Sequence, residues 1–373
     1  MYIEAFTSHF SNIIDQRQTA KVTYPLEDIL FVSLCAVIAG AEGWADIHCY
    51  ADGHLAWFQK HGYLKEGVPA DDTIARIISR IDPDEFSACF MQWMQAVHSA
   101  SDGQLIAIDG KTLKSSYHRN DRLSTIHMVN AFACENKLVL GQLKTSDKSN
   151  EITAIPDLLQ LLDIREKLVS IDAMGCQKSI AAQIVKQDGD YLLAVKSNQK
   201  SLHDAIMSAF SSVRKAPLSP LAIENKHGRV EARAYHVLSA NELEGDFSEW
   251  QGLRSIGMAM SYRHCNGKGA LTYRYYISSA ELPEQKFADA VRSHWFIENS
   301  LHWVLDASMG EDHCQIYQNH AAENWSLLRK LSLNMLRSES SKGSIPMKQK
   351  RAWMKPEYLE EVLRAGFTSL LEI

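Results

Sequence analysis

The chain has 373 residues, enough to bury a full-sized core and to divide into two or three structural units. Its 46% apolar and 23% charged content are those of an ordinary globular protein. No apolar run approaches the roughly 18 residues that a bilayer span requires. The start, MYIEAF, lacks the basic and then apolar leader of a secreted protein, so the expected location is cytoplasmic.

The net charge of −6 argues against holding DNA by overall charge, but its distribution is uneven. Residues 1–100 carry 6 Lys/Arg against 13 Asp/Glu, residues 105–235 carry 18 against 14, and residues 329–355 carry 8 against 1. The acidity therefore belongs to the front of the chain, and the rest can present local basic surface. Seven cysteines with no C-x-x-C spacing suit reduced thiols better than a disulfide framework. None of the 15 histidines forms H-E-x-x-H, so a zinc site is not expected.

Residues 1–98 read as a helical unit. Pro25 opens a long apolar run, Asp71 and Asp72 precede a helix carrying Ile74, Ile77 and Ile78, and Asp82-Pro83-Asp84-Glu85 starts another. Ser99–Gly103 reads as a linker. Beyond it, Gln104–Ile108 is a short apolar strand expected to end at Asp109-Gly110. Thr125–Cys134 and Leu138–Thr145 are two more strands, and Asn150–Leu162 has helical spacing. Lys167–Ile171 is a buried strand ending at Asp172, Gln177–Gln187 a helix, and Tyr191–Val195 a fifth strand. The order β-β-β-α-β-α-β-α predicts an α/β, ribonuclease-H-like mixed sheet within residues 104–336. A β-rich insertion is expected over about 221–280, then a helix from Leu282-Pro283-Glu284 towards Leu305, and finally a basic helical tail, 337–373.

In such a sheet Asp109 and Asp172 end neighbouring strands, about 5 Å apart, and Glu298 lies on the helix that returns across them. Carboxylates so grouped would hold two Mg²⁺ ions, or Mn²⁺ in their place, for phosphodiester chemistry. A blander reading stays open for each: Asp-Gly is ordinary turn chemistry, and Glu298 can be a solvated helix residue. Its neighbours Trp295, Phe296, Ile297, Leu301 and Trp303 make an idle carboxylate there costly. Lys111, Lys114, Lys178 and Lys196 follow the strands and can reach phosphates, or can simply be solvated. His302, one turn after Glu298, can order a water or phosphate, or pack. Trp353 can stack on a base or join the core.

Several long motifs carry a resemblance. Ala-Ile-Asp109-Gly-Lys-Thr-Leu, Ser-Asn-Glu-Ile-Thr-Ala-Ile-Pro156, Asp172-Ala-Met-Gly-Cys-Gln-Lys178 and Ala-Val-Lys-Ser-Asn-Gln199 resemble the H-repeat-associated DDE transposases of bacterial insertion sequences. So do His294-Trp-Phe-Ile-Glu-Asn-Ser-Leu-His-Trp-Val-Leu-Asp306, continuing to Glu311-Asp312, and, in the front unit, Gly-Ala-Glu-Gly-Trp44 and Asp72-Thr-Ile-Ala-Arg76. The resemblance implies a two-metal transposase cutting and joining double-stranded DNA at element ends and target, working as a homo-oligomer on DNA in the nucleoid. It carries the catalytic and metal-ligand roles to Asp109, Asp172 and Glu298. Broader relatives have Arg four residues before the Glu and Lys seven after it. Here those positions are His294 and Leu305, with Arg292 nearby, so Arg292, His294 and His302 join the lysines as expected DNA contacts. A catalytically silent DNA-binding relative and a stand-alone two-metal nuclease are the competing readings.

Overall fold

The computed structural model describes residues 2–97, 105–117, 124–145, 151–215, 222–226, 229–265 and 268–367. The expected linker Ser99–Gly103 lies outside them. Six helices come first: α1 (Tyr2–Phe10), α2 (Leu26–Ile38), α3 (Trp44–Gly53), α4 (Leu55–Lys60), α5 (Asp71–Ile78) and α6 (Pro83–Val97). α2 is apolar all round, and every residue except Glu27 and Asp28 is buried. Such a helix must be surrounded. α5 buries Ile74, Ile77 and Ile78 as its spacing predicts, with Asp71 and Asp72 in the first turn beside the positive end of the helix dipole. Asp82 Oδ1 accepts the Asp84 amide at 2.9 Å and starts α6.

The strands follow as β1 (Leu105–Leu113), β2 (Ile126–Ala133) and β3 (Leu138–Thr145), then α7 (Glu151–Gln160), β4 (Leu168–Ile171), α8 (Lys178–Lys186) and β5 (Asp190–Val195). Two helices, α9 (Lys200–Ala209) and α10 (Ser211–Lys215), lead to β6 (Ala222–Lys226), β7 (Arg229–Ser239), β8 (Ser255–Cys265) and β9 (Lys268–Ser278). All nine strands form one sheet in the order β3-β2-β1-β4-β5-β9-β8-β7-β6. β1, β4 and β5 run parallel, joined by helical crossovers, and the remaining pairs are antiparallel. The fold is the ribonuclease-H-like mixed sheet.

One expectation needs correcting. β1 does not stop at Ile108. Its parallel ladder with β4 ends at Ile108↔Ile171, but its antiparallel ladder with β2 continues to Leu113↔Ile126 and carries Asp109 inside the strand. The strands of the expected β-rich insertion, β6–β9, lie between β5 and the returning helix, and β9 pairs with β5 from Leu192↔Ser278 to Val195↔Tyr275, so they extend the central sheet.

The returning helix is broken into α11 (Glu284–Phe296), a π-helical segment (Ile297–His302) and α12 (Trp303–Met309). A π segment widens the helix locally and shifts the side chains that follow it. Gly310, at φ +63°, closes α12 in the left-handed conformation that glycine adopts without strain. The chain then enters α13 (Ala321–Ser338), α14 (Ile345–Met354) and α15 (Pro356–Phe367).

α13 ties the helical layer to the sheet. It packs against α2, α5, α6, α14, α15 and β3. Its Asn334 amide accepts from the Val139 N–H at 2.9 Å and donates to the Val139 carbonyl at 2.8 Å, pairing with the edge strand as backbone would. The Asn324 amide donates to the carbonyls of Ile78 and Ile81, at 2.8 and 3.0 Å. α15 returns to the front helices, where the Trp93 indole donates to the Gly366 carbonyl at 3.2 Å.

The tail's positive charge is therefore less available than its sequence suggests. Arg329, Lys330 and Lys348 are buried, and Arg337 spends its guanidinium on the carbonyls of Lys137 and Ser300. Lys348 donates to the Leu336 carbonyl at 2.8 Å, binds the Glu339 carbonyl at 2.5 Å and pairs with the Glu339 carboxylate at 3.1 Å. Trp353 lies against the Tyr50 ring, with centroids 5.2 Å apart.

Candidate active site

Strand register brings the two aspartates together. Ile108 and Ile171 are partners in the parallel β1–β4 ladder, so Asp109 and Asp172 occupy the next positions on one face of the sheet. The π segment presents Glu298 to that face. All three carboxylates line a single cavity of about 250 Å³, together with Lys196 and His294. Asp172 is held by its own turn, its Oδ1 accepting the amides of Met174 and Gly175 at 3.0 and 3.3 Å. Glu298 is exposed at the rim.

Burial raises the Asp109 carboxyl to about 7, and the nearby charges of Asp172, Glu151 and Glu298 push in the same direction. The Gly110 amide opposes them by hydrogen bonding to the charged form. A carboxyl this crowded by its own kind is the usual signature of a site that expects a cation.

Both histidines of the returning helix are neutral at physiological pH. Burial takes His294 down to about 4, against the pull of Asp172, and its Nδ1 shares a 2.8 Å hydrogen bond with Ser170 Oγ. Burial and the charges of Lys111 and Lys330 take His302 to about 3. Its Nδ1 lies 3.7 Å from Asp109 Oδ2, a polar contact rather than an ion pair, because the ring is uncharged.

The expected DNA contacts separate by environment. Lys196 opens onto the acid cavity, and Arg292 is exposed on a neighbouring cleft. Lys111 is not available to DNA: it is buried, with its ammonium bound to Asp306 and, at 2.6 Å, to Glu311. Lys114 is exposed but pairs with Asp312 at 2.5 Å, and Lys178 pairs with Glu249. Their charges are already partly answered.

Two buried polar assemblies have no assigned role in the sequence reading. Behind β1, on the face opposite Asp109, His127 Nε2 meets Glu151 Oε1 at 2.5 Å, and His127 Nδ1 meets Thr112 Oγ1 at 2.8 Å. On the site side, Glu311 is enclosed by Lys111, Lys330, Arg329 and Ser326. Burial would raise its carboxyl, but the three cations hold it down at about 2. The quoted motifs containing Glu151 and Glu311 were the available signal. Nothing local indicated which partners they would meet.

A transposase DDE domain model matches residues 97–335, and a model of its associated N-terminal region matches residues 7–94. The chain belongs to the DDE transposase family. "Putative transposase YncI" of Escherichia coli O157:H7 is 46% identical, the match covering 97% of this chain and 95% of that protein. "H repeat-associated putative transposase YhhI" of Escherichia coli K12 is 45% identical, with 97% and 98% covered. Among solved structures, a piggyBac transposase synaptic complex with hairpin DNA shows a looser likeness: TM-score 0.47 and 10% identity, over 97% of this chain and 81% of that one.

DDE transposases generally use divalent metal ions, and the donor set here fits such a cation. Three carboxylates offer the hard oxygen ligands that Mg²⁺ prefers. They face one cavity without closing on a point: among the described residues, no group of three His, Cys, Asp or Glu side chains could hold an ion as it stands. Beside Asp109, both amide atoms of buried Asn130 and the Nε2 of His302 lack hydrogen-bond partners. Buried polar atoms normally find partners in protein or ordered water, and an ion's water shell would supply them.

Proposed function

We propose that this transposase cuts and joins DNA at the cavity lined by Asp109, Asp172 and Glu298, with these carboxylates as ligands of two Mg²⁺ ions. The convergence of three acids from β1, the β4 turn and the π segment on one cavity supports this reading most strongly. When bound, such ions activate the attacking oxygen, a water for cleavage and a DNA 3′-hydroxyl for joining, and neutralise the departing one. The protein's part is positioning. Asp172 is fixed by its turn, and Asp109 by the β1–β2 ladder, where it pairs with Asn130 one residue past the end of the β1–β4 ladder. Glu298, on a helical element, can adjust. Lys196 and neutral His294 at the cavity wall would orient the phosphate beside the scissile bond. Joining both ends of an element calls for a second copy of the chain on the same DNA.

The test is cleavage and strand transfer on duplexes bearing the element's own ends, in Mg²⁺, Mn²⁺, Ca²⁺ and EDTA. Mg²⁺ and Mn²⁺ should support both steps, and Ca²⁺ should support binding without chemistry. Full cleavage in EDTA would refute the proposal.

A further inference from the structure

The face of the sheet that carries the acids does not end with them. Ser170 pairs with Leu192, and Leu192 with Ser278, so advancing two residues from this row carries the Asp172 face through Ala194 to Tyr276 on β9. Continuing in steps of two along the antiparallel extension, the same face presents Arg274 beside Ala259 and Tyr235. Next come Thr272, Ser261 and Arg233, and then Ala270, Arg263 and Glu231. These residues, with Arg292 of α11, line a cleft of about 600 Å³. The cleft shares Arg274, Val291 and Trp295 with the acid cavity, so the two are continuous.

Among the described residues lining this cleft, four carry guanidinium groups and one a carboxylate. Glu231 pairs with Arg233 at 2.5 Å and lies 3.6 Å from Arg263, and Arg274 sits over the Trp295 ring, 4.8 Å from its centroid. Period-two alternation brings them to one side, and a patch so uneven in charge recruits an anion. Arg presents a planar fork of donors that matches phosphate oxygens. Of the expected lysines, Lys111 is buried among acids and Lys114 and Lys178 are paired with acids, while Lys196 opens onto the acid cavity that the cleft joins.

We propose that the arginine cleft on β7, β8 and β9 seats the phosphodiester backbone of DNA and delivers it to the acid cavity. The acid-site reading explains why DNA should lead there, but binding in the cleft can be measured without cleavage. The backbone contacts would position DNA without reading its sequence.

The experiment measures affinity for a fluorescein-labelled, mixed-sequence duplex across a salt series in Ca²⁺. Each phosphate contact contributes about −0.9 to the slope of log affinity against log salt. The double variant Arg233→Ala/Arg263→Ala should bind more weakly and flatten that slope by up to about two. Arg233→Lys/Arg263→Lys should keep most of it, and Glu231→Gln, which removes the opposing charge, should tighten binding. These two variants decide the matter even if the alanine protein fails to fold. An unchanged slope in the folded alanine variant, or weaker binding by Glu231→Gln, overturns the cleft. If the wild type still cleaves in Mg²⁺, the acid site stands without it. Cleft-dependent binding with no metal-dependent cleavage leaves the cleft and removes the acid site. A wild type that does not bind the mixed-sequence duplex overturns the cleft and leaves the acid site to cleavage of the element's own ends.

Discussion

His127 and Glu151 meet at 2.5 Å directly behind Gly110, the residue that follows Asp109 in β1. A side chain at position 110 would begin 2.2 Å from Glu151 Oε1 and 2.5 Å from His127 Nε2, so only glycine lets the pair sit against the strand. Gly110→Ala should therefore destabilise the protein by about 1–3 kcal/mol, the usual cost of overpacking. It should also lower cleavage by displacing Asp109. Chemical denaturation and end-cleavage rates would check this, and a fully active, equally stable variant would show that the pair has room to move.

Asp109→Asn should abolish cleavage while leaving DNA binding intact or stronger, because it removes negative charge from beside the phosphate. The same substitution removes the charge that burial, with the neighbouring charges of Asp172, Glu151 and Glu298, makes costly enough to raise the Asp109 carboxyl to about 7. In metal-free protein at pH 8 it should raise the melting temperature, by roughly 2–4 °C for each kcal/mol recovered. Gel shift, cleavage and thermal melting test the three parts separately. Cleavage by this variant would remove Asp109 from the mechanism.

Glu311 links pH to stability. Its folded carboxyl is depressed to about 2 from an ordinary 4.5, so its contribution is fully present above 4.5 and is lost as pH falls towards 2. Glu339, held down to about 2 by Ser341, Tyr358 and Lys348 against the cost of its burial, acts in the same window. Glu311→Gln should cost about 3–5 kcal/mol at pH 7, because it strands buried cations. It should also reduce the acid dependence below pH 4.5. Urea titrations of both proteins from pH 7 to pH 3 provide the measurement, and parallel pH profiles would contradict the assignment.

The tail offers a contrast between neighbouring lysines. Lys348→Ala should destabilise by about 3 kcal/mol, since it leaves the Glu339 carboxylate unpaired in a buried setting. Exposed Lys350→Ala should change stability by less than about 0.5 kcal/mol. Denaturant midpoints would show it, and equal effects at the two positions would mean that the Lys348 contacts contribute little.

The sequence determined what depends on neighbours along the chain. Alternation and helical spacing located the main strands and helices, and the apolar run ending at Asp172 marked where a parallel strand releases a functional side chain. The motifs pointed to the three acids because each acid sits in its own short, distinctive segment. Tertiary structure decided what depends on residues far apart. Lys111 looks like a phosphate contact until Asp306 and Glu311, nearly two hundred positions later, enclose it. Lys348 looks like part of a basic tail until Glu339 and the Leu336 carbonyl accept its hydrogen bonds. The β-rich stretch was legible as strands, but only the pairing of β9 with β5 carries Arg233, Arg263 and Arg274 onto the acids' face. A charge written in sequence has no fixed meaning: whether it meets water, a partner or a ligand is set by the dielectric and the neighbours that folding places around it.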